Sequence, residues 1–152
     1  MKSSLKMRGA AAAALFVLGA WSHRGDAQAL QFYNVTPCRA VDTRYGYGGI
    51  VTSSTIRSFQ MKGVCGVPSD AKTVTLNVTA VGPGCGGFFM LYPAGSSMPA
   101  VSNLNFNAGE PAIANGAVVP IAATNPDISL IYGVGGGTCY AHAILDVTGF
   151  FK

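Results

Sequence analysis

The nine residues "TVTLNVTAV", Thr73 to Val81, alternate without a break. Val74, Leu76, Val78 and Ala80 are apolar, and Thr73, Thr75, Asn77 and Thr79 between them are polar. A period of two puts all four apolar side chains on one face only if the backbone is extended, so the segment reads as a strand with one buried face. "LQFYNVT", "TIRSFQMK", "GFFMLYP", "AVSNLNF", "GAVVPI", "ISLIYG" and "CYAHAILDVTGFF" are further strand candidates. Between them lie "GVCGVPSD", "GPGCGG", "PAGSSMP", "NAGEP", "TNPD" and "GVGGG", clusters of the residues that form turns. No segment after residue 29 carries a long helical period. Short strands cut by such turns predict an all-β fold, a single β-sandwich or jelly-roll-like domain over 30–152. A closed β-barrel is the alternative.

Residues 1–29 have the layout of a secretory signal peptide. Lys2, Lys6 and Arg8 form a positive head, "AAAALFVLGAW" an apolar run, and "AQA" a small-residue cleavage site ending at Ala29. The run is shorter than the ~20 apolar residues of a spanning helix. The formal charge of +4 belongs largely to this leader. After its removal the basic residues are Arg39, Arg44, Arg57, Lys62, Lys72 and Lys152, against Asp42, Asp70, Glu110, Asp127 and Asp146. A nearly neutral protein has no basic face with which to displace counterions from nucleic acid. The expected location is extracellular or at a cell surface, with no membrane attachment once the leader is gone.

Cys38, Cys65, Cys85 and Cys139 are an even set in a chain read as exported, which predicts two disulfides. Three pairings exist. Cys38–Cys65 with Cys85–Cys139 is preferred, because Cys65 and Cys85 lie in glycine-rich turns and Cys38 and Cys139 at strand ends. No pair has the close spacing of a zinc knuckle, and His142 is the one histidine after the leader. Neither a metal nor another cofactor is implied.

Charge is scarce: 11% of the chain is Asp, Glu, Lys or Arg. Yet "TPCRAVDTR" places Arg39, Asp42 and Arg44 beside Cys38. A buried carboxylate is tolerated when it is paired and hydrogen-bonded, and the planar guanidinium is suited to that task. Asp42 and Arg44 are therefore expected to fix the turn after the first strand. Asp146 on the last strand is expected to meet Arg39 or Arg44, giving a structural ion-pair cluster rather than a ligand site. Catalysis finds little support. His142 and Asp146 share a strand face but lie about 13 Å apart at strand rise. Asp70, Asp127 and Glu110 sit in turn or loop contexts. "GVGGGT" lacks the lysine and helix of a phosphate loop. "NVT" at Asn34 and at Asn77 is formally a glycosylation sequon, in a predicted strand each time.

"PCRAVDTR", "GVCGVPSDAKTVTLNVTAV", "LYPAGSSMPAVSNLNFNAGEPAIANGAVVPI" and "AILDVTGFF" occur in this order over nearly all of 30–152. Together they resemble a β-rich domain of secreted bacterial proteins. That domain reads PCR-hydrophobic-DTR, GVPxxAxxVxLNVTA, SxLNF and DVxGYF. The resemblance implies an extracellular β domain without established catalysis, one that recurs in tandem or is attached to larger proteins. Here one copy is present, and Phe151 follows Phe150 where tyrosine-phenylalanine is the common ending.

Two functions are carried forward. The first is a secreted structural subunit that self-assembles with copies of itself into a filament or surface layer. The N-terminal strand is the expected connector, with Leu30 and Phe32 on one face and Tyr33 and Val35 on the other. It would complete its own sheet or a neighbour's, and a head-to-tail contact of that kind propagates. The second is a carbohydrate-binding module, for which Tyr45 and Tyr47 in "RYGYGG" offer stacking surfaces.

Overall fold

A computed structural model describes residues 29–152; the predicted leader lies outside the described residues except for Ala29. The described residues form nine strands: β1 (Phe32–Asp42), β2 (Val51–Thr52), β3 (Arg57–Phe59), β4 (Thr73–Val81), β5 (Gly87–Pro93), β6 (Leu104–Phe106), β7 (Ala112–Pro120), β8 (Ile128–Gly133) and β9 (Tyr140–Phe151). They make two antiparallel sheets. One has the order β1-β9-β4-β7, with β2 pairing the start of β9; the other has the order β3-β8-β5-β6. The sheets pack face to face and do not close, so the fold is a β-sandwich and the barrel alternative is excluded.

The alternation in β4 is realised residue by residue: Val74, Leu76, Val78 and Ala80 are buried, and the residues between them are half-buried. β9 lies beside it and buries Ala141, Ala143, Leu145 and Val147 on the same side. A bulge at Thr148 then shifts the register, so that Gly149 stands opposite Thr75 and Phe150 opposite Val74. The bulge brings Phe150 onto the core side, where it stacks on Tyr33 at 5.3 Å. The facing sheet contributes Phe89, Phe106 and Tyr132, three rings with centroids 5.1 to 5.7 Å apart. Tyr132 is fully buried, and its hydroxyl donates to the Cys85 carbonyl at 2.6 Å. Burial pushes the Tyr132 phenol up, although the hydrogen bond to that carbonyl opposes it.

Four predicted elements change in extent: "GAVVPI" is the end of a longer β7 that begins at Ala112, "TIRSFQMK" is a strand only over β3, and two others differ as follows. The first strand does not stop near Thr36 but continues through Asp42, because Ala40 and Val41 bury themselves against β9. The segment 100–106 is a strand only over β6, since Val101 faces solvent.

Both disulfides are present in the preferred pairing. Cys38–Cys65 ties β1 to the loop before β4, and Cys85–Cys139 ties the entry of β5 to the entry of β9, joining the two sheets at one end. Disulfides persist in oxidising compartments, so the two bridges are consistent with an extracellular protein. Among the described residues no helix is long and apolar enough to cross a membrane.

Candidate functional site

The charged residues of the "PCRAVDTR" segment gather on the outer face of the five-stranded sheet. Arg39 and Asp146 are cross-strand partners in the β1–β9 ladder. The Arg39 guanidinium grips that carboxylate with two bonds, Nε to Oδ1 at 2.8 Å and Nη2 to Oδ2 at 3.2 Å. Its third nitrogen reaches Asp42 Oδ2 at 3.3 Å. Asp42 also accepts from Arg44: the backbone N–H at 3.1 Å, Nε at 2.9 Å and Nη2 at 2.7 Å. The order Asp146–Arg39–Asp42–Arg44 is thus a continuous alternation of charge. Asp42 holds the chain where it leaves β1, since Tyr45 N–H also bonds the Asp42 carbonyl.

Asp42 alone of the four is buried; Asp146 is partly exposed, and the two arginines are more exposed still. Of the two aspartates in the expected cluster, only Asp42 is buried. Asp146 pairs on the outer sheet face, where water screens it. The Arg44 side chain, followed by its backbone N–H and the nearby Arg39 charge, holds the Asp42 carboxyl at about 2, below its ordinary 3.8, although burial works against this. Hydrogen bonding to Asp146 raises Arg39, and hydrogen bonding to Asp42 raises Arg44.

A carboxylate with a lowered folded-state pKa stabilises the fold above its unfolded value, and that stability is lost as pH falls through the folded one. The thermal midpoint should therefore be insensitive to Asp42 above pH 4 and decline between about pH 4 and pH 2. Asp42→Asn should remove that part of the decline and cost about 1–2 kcal/mol at neutral pH. Thermal melts of both proteins across this range check it. An identical acid slope in the two would contradict the assignment.

The remaining predicted residues disperse. His142 Nδ1 lies 3.2 Å from Thr43 Oγ1, and that hydroxyl accepts the Ala143 N–H. The pairing gives the imidazole no carboxylate. Among the described residues no group of three or more His, Cys, Asp or Glu is placed to hold a metal ion. Asn34 is exposed on β1, whereas Asn77 is half-buried on β4, flanked in register by Asp146 and Gly116. Asn77, Arg39, Asp146, Thr148, Pro37 and Cys38 line a shallow depression of about 480 Å³. Leu30 and Phe32 are exposed, and Tyr33 and Val35 pack toward the core. Tyr45 and Tyr47 project into solvent, with Arg44 over the Tyr45 ring.

One polar residue escaped sequence reasoning. Asp127, expected to be turn chemistry, is completely buried. Its two carboxylate oxygens accept the Met61 and Lys62 N–H groups, each at 2.8 Å, and its own N–H donates to Phe59. Its carbonyl also accepts from Ala94 and Ala122. "NPD" carries a turn signal, and the only hint of more is that Asp127 stands directly before the apolar run of β8.

Fold and site together define a disulfide-stapled antiparallel β-sandwich with a salt-bridged outer sheet face. No protein-family model, curated protein or solved structure matches the chain.

Proposed function

We propose that the protein is a secreted structural subunit that self-assembles through β-strand pairing or exchange at its sheet edges. Its product is an extracellular filament or surface layer, and it does so without catalysis. The observation that carries this reading is the position of the N-terminal strand. β1 is an edge of the five-stranded sheet; Phe32 at its start and Leu30 just before it face solvent, and no charged side chain lies between Leu30 and Arg39. Edges of soluble proteins are ordinarily guarded by charge, proline or a covering element, and an edge left open serves as a template for another chain. The nearly neutral sequence after the leader adds little repulsion between copies.

Deleting Leu30–Asn34 from the exported protein is expected to abolish large assemblies while leaving the sandwich folded. Sedimentation velocity checks this. Assemblies of unchanged size would refute the role of the strand.

The second reading is a carbohydrate-binding module. The depression beside Arg39, Asn77, Asp146 and Thr148 supports it, since amide, carboxylate and guanidinium groups are what a polyhydroxylated ligand recognises. Glycan-array binding lost in Asn77→Ala, by a protein that remains monomeric, would favour this reading over assembly.

A further inference from the structure

The sandwich has four sheet edges: two are short, and a third, β1, is open only at its start and blunted beyond Asn34. β3 and β6 have three residues each. β1 shifts register between Asn34 and Cys38, carries Pro37 and Arg39, and is tied there to the Cys65 loop. The fourth edge, β7, differs in every respect. All nine of its residues pair with β4 without a bulge. Proline occurs only at its last position, and no charged residue lies between Glu110 and Asp127.

The phase of the β4–β7 ladder fixes which backbone groups β7 leaves free. Beyond one end Ile121 N–H bonds the Lys72 carbonyl, and beyond the other Gly82 N–H bonds the Pro111 carbonyl. Those bonds flank Pro120↔Thr73 and Ala112↔Val81, so both are non-hydrogen-bonded pairs. Counting inward in steps of two, Ala112, Ala114, Gly116 and Val118 direct their N–H and C=O groups away from β4. Among the described residues no backbone bond reaches them. The free groups form an uninterrupted row about 20 Å long. Ile113, Ala117 and Val119 pack toward the core, while Val118 is 62% exposed on the outer face.

We infer that β7 is a docking edge for a second copy of this chain, the two β7 strands pairing antiparallel about a two-fold axis beside Asn115. This names a partner surface for the assembly proposed above and rests on that reading. The row is self-complementary in three ways. In length, each strand meets one of its own size, whereas the unbulged start of β1 offers only Phe32 and Asn34 as free positions. In register, Ala112 faces Val118 and Ala114 faces Gly116 of the other copy. About eight hydrogen bonds then form and Pro120 stays outside the ladder. In charge, no like-charged pair is brought together. The result is one sheet running through both subunits. It leaves both N-terminal edges free to join pairs into a longer assembly.

The test is sedimentation equilibrium of the exported protein with Ala114→Pro, Val118→Lys and the Leu30–Asn34 deletion. Ala114 directs its N–H to solvent, where an edge strand tolerates proline. The lysine adds a charge on the exposed side without touching the core. The deletion variant should form dimers but nothing larger, and each β7 variant in that background should fall to monomer mass with an unchanged melting midpoint. If Ala114→Pro fails to fold, Val118→Lys carries the result alone. Dimers that persist in both β7 variants would overturn the inference. Dimers lost on deleting Leu30–Asn34 but kept in the β7 variants would also overturn it, while leaving strand-mediated assembly standing. A deletion protein that is monomeric at every concentration would overturn it as well.

Discussion

Replacing Cys85 and Cys139 together with alanine is expected to lower stability by about 4 kcal/mol. The bridge closes a loop of sequence separation 54, twice the 27 of Cys38–Cys65. Limiting the unfolded chain over that distance should stabilise by about 4 kcal/mol, against about 3.5 for the shorter loop. The longer bridge also has the more consequential position. Cys139 is buried at the entry of β9, where its N–H donates to Ser53 Oγ, and Cys85 precedes β5 in the facing sheet. Its loss should let the two sheets separate at that end. Urea unfolding of the oxidised protein and the double variant measures the difference. A loss below about 1 kcal/mol would mean that the sandwich holds this end without the covalent link.

Asp127→Ala is the second large effect, at about 3 kcal/mol or failure to fold. The carboxylate satisfies Met61 and Lys62 N–H groups where the chain leaves β3, and Met61 is itself fully buried. Alanine removes both acceptors and leaves two backbone donors without partners in a site that water does not reach freely. Unsatisfied buried donors cost more than the net value of the bonds they had made. Asp127→Asn should be intermediate, since its one carbonyl oxygen can serve one N–H while its amide group opposes the other. Equal stability of the alanine and asparagine variants, measured by chemical unfolding, would contradict this role.

The sequence is most informative where each residue faces a single neighbouring layer. β4, β5 and β8 occur at the expected residues because their apolar patterns are bounded by turn residues on both sides. The charged cluster was legible for a different reason. In a chain this poor in charge, Arg39, Asp42, Arg44 and Asp146 had few partners other than one another. β2, two residues long, has no period to detect and exists because the start of β9 beyond β1 is free to pair. Asp127 was missed because a turn aspartate and a buried backbone cap have the same local sequence. The openness of β7 was equally hidden. It depends on β4 taking β9 on one side and β7 on the other, a long-range choice that no window of sequence contains.

Self-assembly is the central claim, and electron microscopy of the concentrated, oxidised protein beginning at Leu30 tests it most directly. The expected result is extended filaments or sheets that are absent from the Leu30–Asn34 deletion. A field of uniform monomers, with no ordered assembly in the native secreted material either, would contradict it.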